Sequence, residues 1–412
     1  MIHSSQETTT PSAVHGPLTG VRVIDLATVF AAPFAATLLA DFGADVIKVE
    51  LPKIGDAVRG MTPVVKGVPG PWTVLSRNKR CISLDVRKEK GKELLKKLVA
   101  QADLVIENFR PGTLEKWGLG YDVLKGINPR LIMVRISGYG QSGPYAHKAG
   151  FGTPATAFGG LTYMQGYPDR PPVSPPFPLV DYLTGVFGAF GAVMALYHLK
   201  SNDQAEGQQV DLALYESIFR ILEPAIVQYD LTGVSRGRAG HALQESAPAG
   251  AFQCKDGKWV ILVTSTQRTF SRLAEVMGRT DLLSNPHYDT NPHRVEHREA
   301  ILAIVQEWTA QYPSDELMKL GDESGIPISP IPSMAEIFQN PQYKAREDLI
   351  QVEHPILGTM NMPGIVPKML GTPGAIRFPG PSAIGADNRE VYQEMLGLSD
   401  AEMEALEAEE VI

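Results

Sequence analysis

A chain of 412 residues is long enough for two hydrophobic cores, since single cores stop growing near roughly 250–300 residues. With 38 lysines and arginines against 46 acidic residues, the formal charge of −8 excludes a broadly basic surface for nucleic acid or anionic lipid, while leaving room for one local phosphate pocket. Cys81 and Cys254 are too few for a disulfide framework or a thiolate metal site; residues 1–16 read as a polar, disordered arm without a secretory pattern, and the expected location is cytoplasmic.

The opening third alternates short apolar strands with helices. VRVIDL (21–26) is a strand, PFAATLLADFG (33–43) a helix opened by Pro33 and closed by Gly43, and ADVIKVE (44–50) the next strand. CISLDV (81–86), the helix EKGKELLKKLVAQ (89–101), DLVIENF (103–109), two short helices within 112–127 and RLIMVRI (130–136) follow. This alternation predicts an α/β fold with a large, Rossmann-like parallel sheet and helices on both faces. Residues 137–180 read mainly as loop, of the kind that forms a binding crevice beyond strand ends.

Residues 182–199, YLTGVFGAFGAVMALYHL, carry no formal charge and predict a buried helix about 27 Å long, at the lower limit of a membrane span; no membrane partner is expected. Gly185, Gly188 and Gly191 recur along one side, a pattern that suits close packing of another backbone. The run 211–231 reads as a second helix. GAFQC (250–254) and KWVILVT (258–264) form a hairpin about Lys255, Asp256 and Gly257, and helices near 268–277, 295–309 and 314–321 complete a smaller α+β domain. Residues 350–378 read as irregular, and AEMEALEAE closes the chain as an acidic helix.

Several chemistries can be tested on the residues alone. ATVFAAPFAA follows the first strand where a dinucleotide fingerprint would stand, and no P-loop occurs, which argues against nicotinamide or nucleoside-triphosphate chemistry. His293, Glu296 and His297 spell an inverted zinc-protease pattern, but NPHRVEHREA is heavily charged and reads as an exposed turn, so no metal is expected. Ser137 has no identifiable base, and both cysteines read as packed thiols. Asp181 stands between a proline-rich loop and the uncharged helix. It reads either as an N-cap or as a nucleophile, because an ionised carboxylate attacks an activated acyl group without help from a base.

Around Asp181 the chain resembles the third family of CoA-transferases, which includes formyl-CoA transferase, carnitine CoA-transferase and, as a divergent branch, 2-methylacyl-CoA racemase. The matching segments include LTGVRVIDLATVFAAPFAATLLADFGADVIKVE, SRNKRCISLDV, ADLVIENFRPGTLEKWGLGYDVL, NPRLIMVRISGYGQSGPY, VDYLTGVFGAFGAVMALYH and HPILG. The resemblance implies an interlocked homodimer of two-domain subunits. Residues 17–231 would begin the large CoA-binding domain, 232–330 form the small domain, and 331–412 return to the large one. It implies an acyl-CoA and a small carboxylic acid as partners, with coenzyme A as a substrate group and no tightly bound cofactor. Asp181 matches the aspartate that forms a mixed anhydride and then an aspartyl-CoA thioester. Asn108, Phe109 and Lys116 match the CoA site, Lys116 as phosphate partner.

The departures bear on substrate. Phe30 stands where formyl-CoA transferase has a glutamine, which argues against formyl or oxalyl groups. VTSTQR (263–268) replaces that enzyme's glycine run, putting Gln267 in the substrate pocket with Phe30 and Tyr139. Phe151 and Gly152 stand where the racemase branch carries its histidine, leaving proton abstraction without one of its two carriers. A dicarboxylate donor such as succinyl-CoA and a carnitine-like acceptor both fit the family. Racemisation or another acyl-CoA conversion, and CoA binding without catalysis, remain the alternatives.

Overall fold

The computed structural model describes residues 16–412; the first fifteen residues of the expected disordered arm lie outside the described residues. Six short strands carry the architecture: β1 (Arg22–Asp25), β2 (Asp45–Glu50), β3 (Lys79–Ser83), β4 (Leu104–Glu107), β5 (Ile132–Ser137) and β6 (Gln209–Ala213). They pair, all parallel, in the order β3-β2-β1-β4-β5-β6. This is the Rossmann order, and its direction reverses between β1 and β4.

Strands β1 to β5 are buried along nearly their whole length because both faces of the sheet are covered there, while Gln209 and Asp211 of the edge strand β6 are exposed. The helices around this sheet are α1 (Ala31–Asp41), α2 (Glu89–Val99), α3 (Gly152–Phe158), α4 (Leu179–Ser201) and α5 (Leu214–Ile221). Ile24, Ile47, Ile82, Val105 and Met133 point to one side and pack with Leu94, Leu95 and Leu98 of α2. Their neighbours Val23, Val46, Leu104, Ile132 and Val134 point to the other, against α1, α4 and α5. The side-chain period of two along each strand thus fills two separate cores.

Helix α4 lies along α1, and glycine makes that approach possible. A Cβ at Gly185 would lie 2.7 Å from the Ala31 carbonyl oxygen and 2.8 Å from Phe34 Cδ1. At Gly188 it would meet Ile136 and Ala35 at 3.1 and 3.2 Å. Burial is one-sided, however. Val186, Phe190, Val193, Met194 and Tyr197 are exposed, so the expected buried helix is buried on one face only. Among the described residues α4 is the one helix long and apolar enough to cross a membrane.

One expected element is corrected here. The run 211–231 does not begin as helix, because Gln209–Ala213 pairs with Met133–Ser137 as the sixth strand, and helix starts only at Leu214. At the opposite edge, β3 is closed by side chains from the far end of the chain. Cys81 N donates to Asp387 Oδ2 (2.6 Å), Ser83 N to Asn388 Oδ1 (2.9 Å), and the Tyr392 hydroxyl to Ser83 O (2.8 Å).

Contacts divide the chain into two units: residues up to Leu161 with Pro175–Glu223 and Arg346–Ile412, and Thr162–Ser174 with Pro224–Ala345. The second unit therefore begins before and ends after the expected 232–330. It is built on the antiparallel strands β7 (Ala249–Gln253), β8 (Trp259–Val263) and β9 (Ile328–Pro330), in the order β9-β8-β7. Helices α6 (Gln267–Val276), α7 (Arg298–Thr309) and α8 (Ser314–Ser324) pack on it around Phe252, Val260, Leu262, Leu273, Val305 and Leu317. In the C-terminal segment the region expected to be irregular holds a hairpin, β10 (Leu349–His354) with β11 (Gly358–Pro363), and the acidic helix is α9 (Asp400–Ala408).

Candidate active site

In an open parallel sheet the crevice forms at the carboxyl ends of the strands where their order reverses. Here those ends are Thr28–Phe30 after β1 and Asn108–Phe109 after β4. Asn108 joins them: its Oδ1 accepts from Thr28 N (2.8 Å) and its Nδ2 donates to Thr28 O (2.7 Å). The amide that sequence assigns to CoA binding is thus occupied in holding the first loop. Val29 follows with φ +68°, a conformation rare for a β-branched residue, and its N–H donates to both carboxylate oxygens of Asp56 at 3.2 and 3.3 Å.

Buried charge supports this loop. Lys48 Nζ lies 3.1 Å from Asp56 Oδ2 and donates to Ala27 O, while Lys79 Nζ lies 2.9 Å from Asp25 Oδ2. Burial pulls Lys48 downward, but Asp25, Asp56 and Glu50 more than offset it and hold the ammonium above its ordinary pKa. Asp56 is itself buried and also accepts from Val58 N (3.0 Å).

Phe30 stands on the next turn. Its ring lies 5.9 Å from that of Tyr182, which also packs edge-on against Phe34 at 4.8 Å. Tyr182 adjoins Asp181, so the Phe30 loop and the candidate nucleophile meet on one short stretch of α4. Asp181 is not an N-cap. The helix starts at Leu179 after Pro178, which places the carboxylate inside the first turn. Burial raises its pKa from 3.8 to about 6, and only its own backbone amide pulls it back. The carboxylate rests against Gly152, where a Cβ would overlap Oδ2 outright and lie 3.0 Å from Cγ. A carboxylate held this way is ionised at neutral pH and more basic than an exposed one, which suits attack on a carbonyl carbon.

The other candidates are distributed as follows. Phe109 is half-buried and packs edge-on to Trp117 at 5.2 Å, and its N–H donates to Glu107 Oε2 (2.7 Å). Lys116 is exposed at the end of the short helix Thr113–Lys116, as is Arg110 just before it. Tyr139 belongs to an aromatic cluster with Tyr145, Phe158 and Tyr215, ring centroids 5.8, 5.2 and 6.3 Å away. Gln267, in the second unit, opens α6 after Thr266, whose hydroxyl caps it by accepting from Thr269 N. Its Oε1 accepts from Nη1 of Arg294 (3.0 Å), a fully buried cation whose burial lowers its pKa to about 10.

His293, Glu296 and His297 do not converge. His293 Nδ1 bonds Asp289 Oδ1 (2.6 Å) and His297 Nδ1 faces the His293 carbonyl, and no group of three metal-binding side chains occurs among the described residues. Cys81 and Cys254 are buried, and burial pushes the Cys81 thiol well up, as suits inert packing. A cavity of about 490 Å³ opens between Gln351–Pro355 and Ile376–Ser382, and contains none of the residues expected at the site. Sequence reasoning missed two participants: Gly152 as the seat of Asp181, and Asp56 as the anchor of Val29. A glycine beside a carboxylate in space leaves no trace in spacing.

The chain belongs to CoA-transferase family III, whose pattern it matches over residues 18–388. It is an enzyme that transfers coenzyme A between an acyl-CoA and a carboxylic acid. Over 96% of its length it is 42% identical to a succinyl-CoA–D-citramalate CoA-transferase of Chloroflexus aurantiacus, covering 98% of that protein. It is 44% identical, with the same two coverages, to the beta subunit of a succinyl-CoA–L-malate CoA-transferase of that organism. Among solved structures it resembles a CAIB/BAIF family protein from Brucella suis, with a TM-score of 0.80, 33% identity and coverage of 92% of this chain and 99% of the other.

Proposed function

We propose that this enzyme uses Asp181 as a covalent nucleophile and succinyl-CoA as donor, with a small dicarboxylic acid as acceptor. One Asp181 oxygen attacks the thioester carbonyl, the carbon–sulfur bond breaks, and a mixed anhydride and CoA thiolate result. The thiolate attacks the aspartyl carbonyl and releases succinate, leaving an aspartyl-CoA thioester. The acceptor carboxylate attacks that thioester, forming a second anhydride and freeing the thiolate again. Attack of the thiolate on the acceptor's carbonyl returns Asp181 and yields the new CoA ester. No external base or oxidant is required.

The observation that carries this reading is the Asp181 carboxylate itself: half-buried, raised to about 6 by that burial, and next to Tyr182, which packs on Phe30 beside the crevice at the sheet's reversal point. The donor follows from relatives whose names share succinyl-CoA, and the acceptor class from their citramalate and malate. Lys116 and Arg110 are assigned to CoA phosphates, and Phe109 with the Asn108–Thr28 clamp to the wall of the CoA site. Phe30 and Tyr139 are assigned to the acyl pocket. Assembly is proposed as an interlocked homodimer; the exposed apolar row on α4 supports a buried partner surface there.

The test is the intact mass of the protein after incubation with succinyl-CoA, followed by peptide mapping. A CoA-sized adduct on Asp181 is the expected result, and Asp181→Ala should abolish both adduct and transfer while still binding CoA esters. Transfer by Asp181→Ala at the normal rate would sink the assignment.

A further inference from the structure

We propose that Gly152 is the positioning residue for Asp181: the side chain absent at 152 is the space in which the carboxylate sits. The kinetic part of this inference rests on Asp181 being the nucleophile; the structural part does not. Gly152 has no positive φ, so its backbone is open to any L-residue and the demand for glycine there is one of space. The three atoms nearest a Cβ at 152 are Oδ2, Cγ and Oδ1 of Asp181, with Cγ at 3.0 Å and Oδ1 at 3.4 Å. Nothing else in the fold meets that position as closely. An alanine there therefore displaces the carboxylate.

A second contact holds Gly152 in place. Gly138, just past β5, crosses Gly150: a Cβ at 138 would lie 2.6 Å from Gly150 Cα, and one at 150 would lie 2.5 Å from Gly138 Cα. Neither glycine has a positive φ, so this too is a demand for closeness. The crossing ties the start and finish of the loop 138–150 to the end of β5. It delivers the next turn, with Gly152 at the first position of α3, against the first turn of α4. The result is a seat for Asp181 fixed to the sheet.

The experiment compares wild type, Gly152→Ala, Asp181→Ala and the double variant. With Asp181 present, Gly152→Ala should slow adduct formation from succinyl-CoA about 100-fold, as a misplacement of roughly 1 Å does, while CoA-ester affinity holds. The acid limb of its rate–pH profile should move below that of wild type, because the carboxylate leaves its half-buried seat for water. Thermal unfolding supplies a readout free of activity. Gly152→Ala should lower the Tm beside Asp181 and leave it unchanged in the Asp181→Ala background, where the conflicting atoms are gone. An equal loss in both backgrounds, or a wild-type rate in Gly152→Ala, would overturn the proposal. Should Gly152→Ala not fold, recovery of folding in the double variant supports the seat and its absence refutes it. If Asp181→Ala still forms adduct, the nucleophile assignment fails, and the Tm comparison still judges Gly152.

Discussion

Burial raises Asp181 to about 6, so about nine-tenths of the carboxylate is charged at pH 7 and about a tenth at pH 5. Adduct formation should therefore fall close to tenfold per pH unit below 6 and level off above 7, read as the rate of CoA adduct against pH. The same shift has a stability consequence of fixed sign. The folded state holds this proton more tightly than the unfolded chain, so its contribution is full below about pH 4, is lost as pH rises to about 6, and stays lost above. Asp181→Asn should be more stable than wild type at pH 8, by at most about 3 kcal/mol, with the difference fading toward pH 4; denaturant melts at the two pH values check this. At this scale the sequence was partly legible. Asp181 could be singled out at the junction of a proline-rich loop and an uncharged helix, and Phe30 only through the family resemblance, as a departure from a glutamine. The seat at Gly152 and the Asp56–Val29 bond could not, since they join residues by contact and carry no pattern along the chain.

Among elements, the contact of α1 with α4 is the one most dependent on residue size. Gly185 allows the α4 backbone to approach the Ala31 carbonyl, and Gly185→Ala must push the helices apart or distort Phe34. Overpacking of this kind costs about 1–3 kcal/mol, visible as a lower denaturant midpoint. Because α4 also carries Asp181, the same variant should slow transfer more than a distant substitution of equal cost. The glycine period in α4 was readable in advance, and so were five of the six sheet strands, each bounded by turn residues and richly β-branched. β6 was not. Asp211–Glu216 reads as helix locally, and only pairing of Gln209–Ala213 with β5, far away in sequence, makes its first half a strand. The hairpin β10–β11 was hidden for a similar reason: Thr359 to Met362 alternate in exposure, but Pro355 and Gly358 look like general irregularity.

For the molecule as a whole, the apolar row on α4 predicts self-association. The proposed homodimer should appear at twice the chain mass in sedimentation without detergent, and Phe190→Glu should shift it toward monomer; a wild-type monomer at micromolar concentration would count against it. The fold class was legible because five strand segments with intervening helices admit few arrangements. The side-chain closure of the β3 edge was not, since Cys81 and Asp387 stand 306 residues apart. That closure has a consequence for the order of events on the ribosome, since β3 emerges long before Asp387. At synthesis rates of roughly 5–20 residues per second, β3 waits about 15–60 s for the residues that cover its edge. During that interval the nascent chain presents an open strand, the usual template for wrong pairing. The segment carrying Asp387, Asn388 and Tyr392 thus acts as a cap, and the edge of β3 stays open until that segment has been made.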